Sequence, residues 1–193
     1  MSTAPAYTPR HPEADFEFHV PFSGDVNEET GIIRNVSLMT GALVAEGHDL
    51  VVDDKTLRQI VECARKMGKI PVKYDHGGGV VSLCGHIDGT SARVEGSKVK
   101  ADWHLLKSHA HYKTTIELAK TMPNCFGLSA AFKAPESGCE TITKGEHKGK
   151  KAARCSRLMA VDCVTHPAAN PDGLFSAKTQ AQSAPGTGSV DTA

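Results

Sequence analysis

The sequence predicts a mainly β domain with a few helices, its strands closed or partly closed into an antiparallel barrel of about seven. Three observations lead there. Short apolar or alternating runs recur through the chain, separated by Gly-rich turns. Helical spacing is confined to two inserted stretches. Neither G-x-G-x-x-G nor G-x-x-x-x-G-K-[ST] occurs, which removes the dinucleotide-binding and P-loop architectures.

In order, residues 1–15 are polar and proline-rich and are expected to be mobile. Residues 16–22 (FEFHVPF) alternate like a strand, with Pro21 favouring an edge or an end. Residues 32–41 read as a strand ending in a turn, and ALVAEGHDLVV as a broken strand or loop. Asp53 or Asp54 caps a helix to Met67, with Leu57, Ile60, Val61 and Ala64 on one face and Gly68 as the stop. Residues 70–74, 80–87, 92–94 and 99–106 form a meander of short strands. Ser108 opens a second helix to Lys120, ended by Pro123. FGLSAAF is a strand, and CETIT pairs with a long strand over 152–165 across a basic turn. After Phe175 the composition collapses to small and polar residues, an expected disordered linker or extension. The domain is therefore 16–175, flanked by tails 1–15 and 176–193.

With 193 residues, 39% of them hydrophobic, the chain can build one core. Lysine plus arginine (22) equals aspartate plus glutamate (22), a balance that gives no reason to expect nucleic acid or an anionic membrane as partner. The basic run KGEHKGKKAAR is read as a solvated hairpin. No apolar run is long enough to span a bilayer, and the N-terminus has no signal-peptide h-region. Six cysteines form no C-x-x-C pair and read as free, buried thiols of a reducing cytosol.

Three regions carry candidate chemistry. Ser129 sits in an apolar strand beside Gly127, Ala130 and Ala131, small enough to let a substrate backbone approach. A serine hydroxyl becomes a nucleophile only when a base takes its proton; otherwise it is a core hydroxyl bonded to a carbonyl. His76 ends a strand before three glycines, and imidazole is the common general base near neutral pH. Its plain alternative is a surface turn histidine. Asp75 is poorly placed to orient the ring, because adjacent strand residues point to opposite faces. Asp162 lies mid-strand in LMAVDCV, where an unpaired carboxylate is costly. It can hold a histidine N–H or form an internal ion pair with an arginine. His166, just past that strand, is the alternative third member. His86, Asp102, His104, His109 and His111 invite a metal reading, but no H-E-x-x-H spacing supports it, so neither a metal nor a cofactor is expected. Trp103 is read as a packing residue.

Taken together, KYDHGGGVVSLCGHIDG, ADWHLL, FGLSAAF and LMAVDCVTHPAANPDGLF resemble the tailed-phage prohead (capsid maturation) serine proteases and, more distantly, the herpesvirus assemblins. The family histidine and the glycine opening its next strand match His76 and Gly85. The G-[LM]-S-x-x-F strand matches Gly127, Leu128, Ser129 and Phe132. The closing V-[DS]-x-V-x-x-P-A pattern matches Val161, Asp162, Val164, Pro167 and Ala168. The resemblance spans most of residues 30–175, and its third catalytic position departs most, with Asp162 or Ala160 as the two registers.

That resemblance implies a seven-stranded barrel with surrounding helices. It implies a serine endopeptidase, with Ser129 as nucleophile and His76 as base, working without cofactor inside an immature phage capsid in the host cytoplasm. Its substrates would be the scaffold, the delta segment of the major coat protein, and itself, and relatives suggest self-association. The turn 166–173 is one source of oxyanion-binding amides. An autocleavage site is expected in or just beyond residues 176–193, with the chain as the protease portion of a longer precursor carrying a scaffolding segment. Two rivals remain: a noncatalytic capsid scaffold module with a protease-like fold, and a histidine-bound metal hydrolase.

Overall fold

The computed structural model describes residues 25–76 and 79–175. The strand expected over 16–22 and the tail after Phe175 lie outside the described residues. Within them, strand β1 (Asp25–Asn27) leads to β2 (Ile32–Thr40). The segment read as a broken strand or loop is a small hairpin of β3 (Leu43–Ala45) and β4 (Leu50–Val52).

Helix α1 (Asp54–Met67) runs as its sequence dictates. The Asp53 carboxylate accepts from the Thr56 N–H at 2.9 Å, a cap worth about 1 kcal/mol. Gly68 closes the helix at φ +74°, its N–H donating to the Ala64 carbonyl. Leu57 and Ile60 are fully buried, each contributing about 2 kcal/mol of burial. The helix packs on strand β6 (Leu83–Glu95), and the approach is close enough to dictate Gly89. A Cβ there would stand 2.0 Å from the Ala64 carbonyl oxygen.

β5 (Lys69–Tyr74) precedes a 3₁₀ turn (Val80–Ser82) and β6, one long strand where two short ones were expected. After the EGSK turn comes β7 (Lys98–Leu105), whose Trp103 is wholly buried in the core. Helix α2 (Tyr112–Thr121) starts later than Ser108, at His111, which offers no side-chain cap. The residues before it are spent on successive turns, with the His109 N–H bonded to Leu106 and the Tyr112 N–H to His109. β8 (Gly127–Lys133) follows Pro123. The long strand expected over 152–165 is split into β9 (Lys151–Ala152) and β10 (Arg157–Val164). Between them the buried Arg154 turns inward to Asp53 and Glu140, and the chain changes sheets. CETIT forms no strand: it contributes only the isolated Thr141–Lys151 bridge, which closes a basic turn whose residues 144–150 are mostly exposed.

Seven strands form one sheet in the order β1-β2-β7-β6-β5-β10-β8, and β3, β4 and β9 form a second. The first sheet is mixed, not antiparallel, because β10 runs parallel to β5. The connection between those two strands runs over residues 75–156, far longer than the crossover a parallel pairing needs. No ladder joins β2 to β8, although their Cα atoms come within 8 Å. The loop after β10 occupies the intervening edge instead. The Ser37 N–H donates to the Leu174 carbonyl and the Thr40 N–H to that of Ala169, both at 2.7 Å. All six cysteines are free; Cys84, Cys155 and Cys163 are buried, whereas Cys125 is exposed. Among the described residues no helix is long and apolar enough to cross a membrane.

Candidate active site

Strand register builds the site. Asp162 on β10 stands opposite Ser129 on antiparallel β8 and opposite Lys73 on parallel β5. Residues directly opposite in a ladder share a face, so the three form a row across adjacent strands. Their neighbours Val72, Val161 and Leu128 are fully buried in the core, and alternation turns the row to the other face.

His76 joins this row through the backbone. β5 ends at Tyr74, and Asp75 adopts φ +58°, the left-handed conformation that acidic and amide residues tolerate best. Its N–H still bonds the Cys163 carbonyl at 3.2 Å, so the turn stays anchored to β10. Beyond it the His76 ring folds back until Nδ1 lies 2.7 Å from Asp162 Oδ2. Asp75 therefore supplies the bend and Asp162 the carboxylate.

Asp162 is 4% exposed, and its Oδ1 has no hydrogen-bond partner. The Lys73 ammonium stands 3.4 Å from that oxygen, close enough to compensate the charge. His76 keeps its ring largely in solvent. His166, the other candidate, is exposed and meets only the Thr165 hydroxyl at 3.0 Å, and Ala160 has no functional group. The structure thus brings Asp162 to His76 and leaves His166 outside the constellation.

Ser129 and His76 line one cleft of about 360 Å³. Its walls are mostly apolar, including Leu38, Met39, Val52, Leu128 and Phe132, with Ala168 and Ala169 from the loop after β10. Gly127 admits that loop, since a Cβ there would meet Pro167 Cγ at 2.9 Å. No hydrogen bond engages the Ser129 hydroxyl among the described residues. Burial pushes the Cys84 and Cys163 thiols up to about 12, which keeps them protonated and unreactive at neutral pH.

The histidines once weighed for a metal are dispersed. His86 and His104 stack across β6 and β7 at 5.0 Å, while His109 and His111 surround Tyr74 near the start of α2. Asp102 is engaged by the Asn35 N–H and Arg34. Among the described residues no group of three or more His, Cys, Asp or Glu side chains could hold a metal ion.

Lys73 and Asn170 escape a reading of the sequence. Lys73 sits in an alternating strand where any solvent-facing residue fits, and only the β5–β10 register reveals its partner. Comparison with protein-family models, curated proteins and solved structures finds no match.

Proposed function

We propose that the chain is a serine endopeptidase of phage capsid maturation, with Ser129 as nucleophile, His76 as general base and Asp162 as the third member. The reading rests on one observation: Asp162 binds His76 Nδ1 at 2.7 Å and stands across the ladder from Ser129, at a cleft both other residues line. With Nδ1 carrying its proton to Asp162, Nε2 is left as the basic nitrogen. It removes the Ser129 proton as Oγ attacks a peptide carbonyl, and passes that proton to the leaving amine. Water then repeats the step on the acyl-enzyme and frees Ser129.

The oxyanion needs a donor, and the loop after β10 offers one. The Ala168 carbonyl accepts from the Glu46 N–H at 2.9 Å. In a planar trans peptide the Ala169 N–H points the opposite way, and no described residue accepts from it. On this reading the curled seven-stranded sheet corresponds to the family's barrel, with β2 and β8 as its closing strands. The substrates are scaffold, coat-protein delta segment and the chain itself, met as self-associated copies within the immature capsid.

Incubation of the full chain with intact-mass readout tests this. Wild type shortens within residues 176–193 or just beyond, whereas Ser129→Ala and His76→Ala stay intact, and a chelator has no effect. Absence of cleavage of self or scaffold in all three would favour the noncatalytic scaffold module, and chelator-sensitive cleavage the metal hydrolase.

A further inference from the structure

We propose that Asn170 is a positioning residue for this site: its buried carboxamide pins the loop after β10 to β2 and so holds the Ala169 amide in place for the oxyanion. The inference rests on Ser129 being the nucleophile.

Asn170 is completely buried, an unfavourable place for an amide unless each of its polar atoms is satisfied. Its Nδ2–H donates to the Ser37 carbonyl at 2.6 Å, and its Oδ1 accepts from the Thr40 hydroxyl at 3.1 Å. Both partners belong to the end of β2, the strand that also supplies Leu38 and Met39 to the cleft wall. Thr40 engages the loop a second time, through its N–H and the Ala169 carbonyl. The carboxamide therefore stands in for a strand partner along an edge that no ladder covers.

The consequence falls on one peptide unit. Ala169 is fixed on its carbonyl side by Thr40, and the preceding plane by Glu46. Asn170 lies immediately beyond, its N–H turned back to Pro167 at 3.3 Å. Releasing its side chain frees the loop to slide along β2, and the Ala169 N–H loses its fixed position at the cleft that Ser129 also lines. The His76–Asp162 pair is carried by β5 and β10 and has no bond to Asn170 among those described.

The experiment uses the full chain and a biotinylated fluorophosphonate, which phosphonylates an activated serine and needs the same oxyanion donor. Asn170→Ala should slow labelling of Ser129 about 100-fold, the loss expected for one such donor. Thr40→Val should slow it about 10-fold, and Thr40→Ser, which keeps the hydroxyl, should restore it to within about 2-fold. The imidazole ¹H–¹⁵N signals of His76 should stay unchanged in all three. Labelling of a folded Asn170→Ala within about 3-fold of wild type would overturn the proposal. So would slowing that tracks loss of the His76 signals, which marks general unfolding. Where Asn170→Ala fails to fold, the Thr40→Val and Thr40→Ser pair decides by the same criteria. A wild type unlabelled at Ser129 removes the nucleophile reading itself, and this inference with it.

Discussion

Two charged side chains, each about 4% exposed, anchor two different polar clusters. Arg154 is satisfied on every arm. It donates to both oxygens of Asp53 at 2.9 Å, to Glu140 Oε2 at 3.0 and 3.2 Å, to the Thr56 hydroxyl and to the Ala153 carbonyl. Asp162 has one hydrogen bond, to a histidine ring that is mostly in water, and one oxygen facing Lys73 without a bond. A cluster whose bonds are all made rigidifies a fold. A buried carboxylate with a solvent-facing partner and an oxygen without a hydrogen bond calls for a reason other than stability, and the proposed catalytic role supplies one. On the proposed reading the contrast separates scaffold from chemistry.

The sharpest way to break it is Asp162→Asn. The amide has the same shape but cannot hold the His76 N–H as an anion does, so the ring loses its tautomer. Self-processing is expected to slow about 10⁴-fold, roughly 5.5 kcal/mol of barrier. Thermal unfolding should move only a few degrees, because little of the fold hangs on that one bond. Processing followed by mass spectrometry, beside a melting curve, decides the point. A large fall in melting temperature with unimpaired processing would reverse the assignment of the two clusters.

Arg154→Met is the opposite case. Removing one partner of a buried pair typically costs 3–5 kcal/mol, and here Asp53 and Glu140 can still reach water, which argues for about 3. The expected result is an earlier urea midpoint with an unchanged m-value. A variant as stable as wild type would show that the Arg154 cluster contributes no more than a surface ion pair.

How far the sequence foretold this contrast depends on the distance between partners. Local chemistry was legible: the Asp53 cap, the Gly68 stop, the α1 face and the FGLSAAF strand all follow from residues a few positions apart. Ser129, His76 and Asp162 could be singled out because each is a polar residue breaking an apolar pattern. The choice between Asp162 and His166 could not be made, since it depends on Asp75 turning left-handed and swinging the ring across β10. Lys73, Asn170 and Arg154 were hidden for the same reason. Their partners lie about ninety to a hundred and thirty residues away in most cases, and a long-range register leaves no local periodicity. The all-antiparallel order failed on one strand pair, the parallel β5–β10 pairing, which alternation cannot distinguish from an antiparallel one, and no ladder closes the seven strands into a barrel.

The smallest effect separates the clusters by pH. Burial alone would raise the Asp53 carboxyl, but hydrogen bonds from Arg154 and from the Thr56 N–H and hydroxyl outweigh it and hold it below the usual range. Arg154 shows the reciprocal: burial opposes its charge, and Asp53 and Glu140 more than offset that, raising it above its ordinary value. A carboxyl with a depressed folded pKa contributes stability above its unfolded pKa and loses it as pH falls through the folded one. The window therefore opens near pH 4 and extends downward. Asp53 is a third exposed, so screening keeps the contribution under about 1 kcal/mol. Urea midpoints of wild type and Arg154→Met, taken at pH 6 and again below pH 4, should converge as the pH drops. Parallel displacement at both pH values would mean that Arg154 acts through packing of its stem and not through the Asp53 carboxylate.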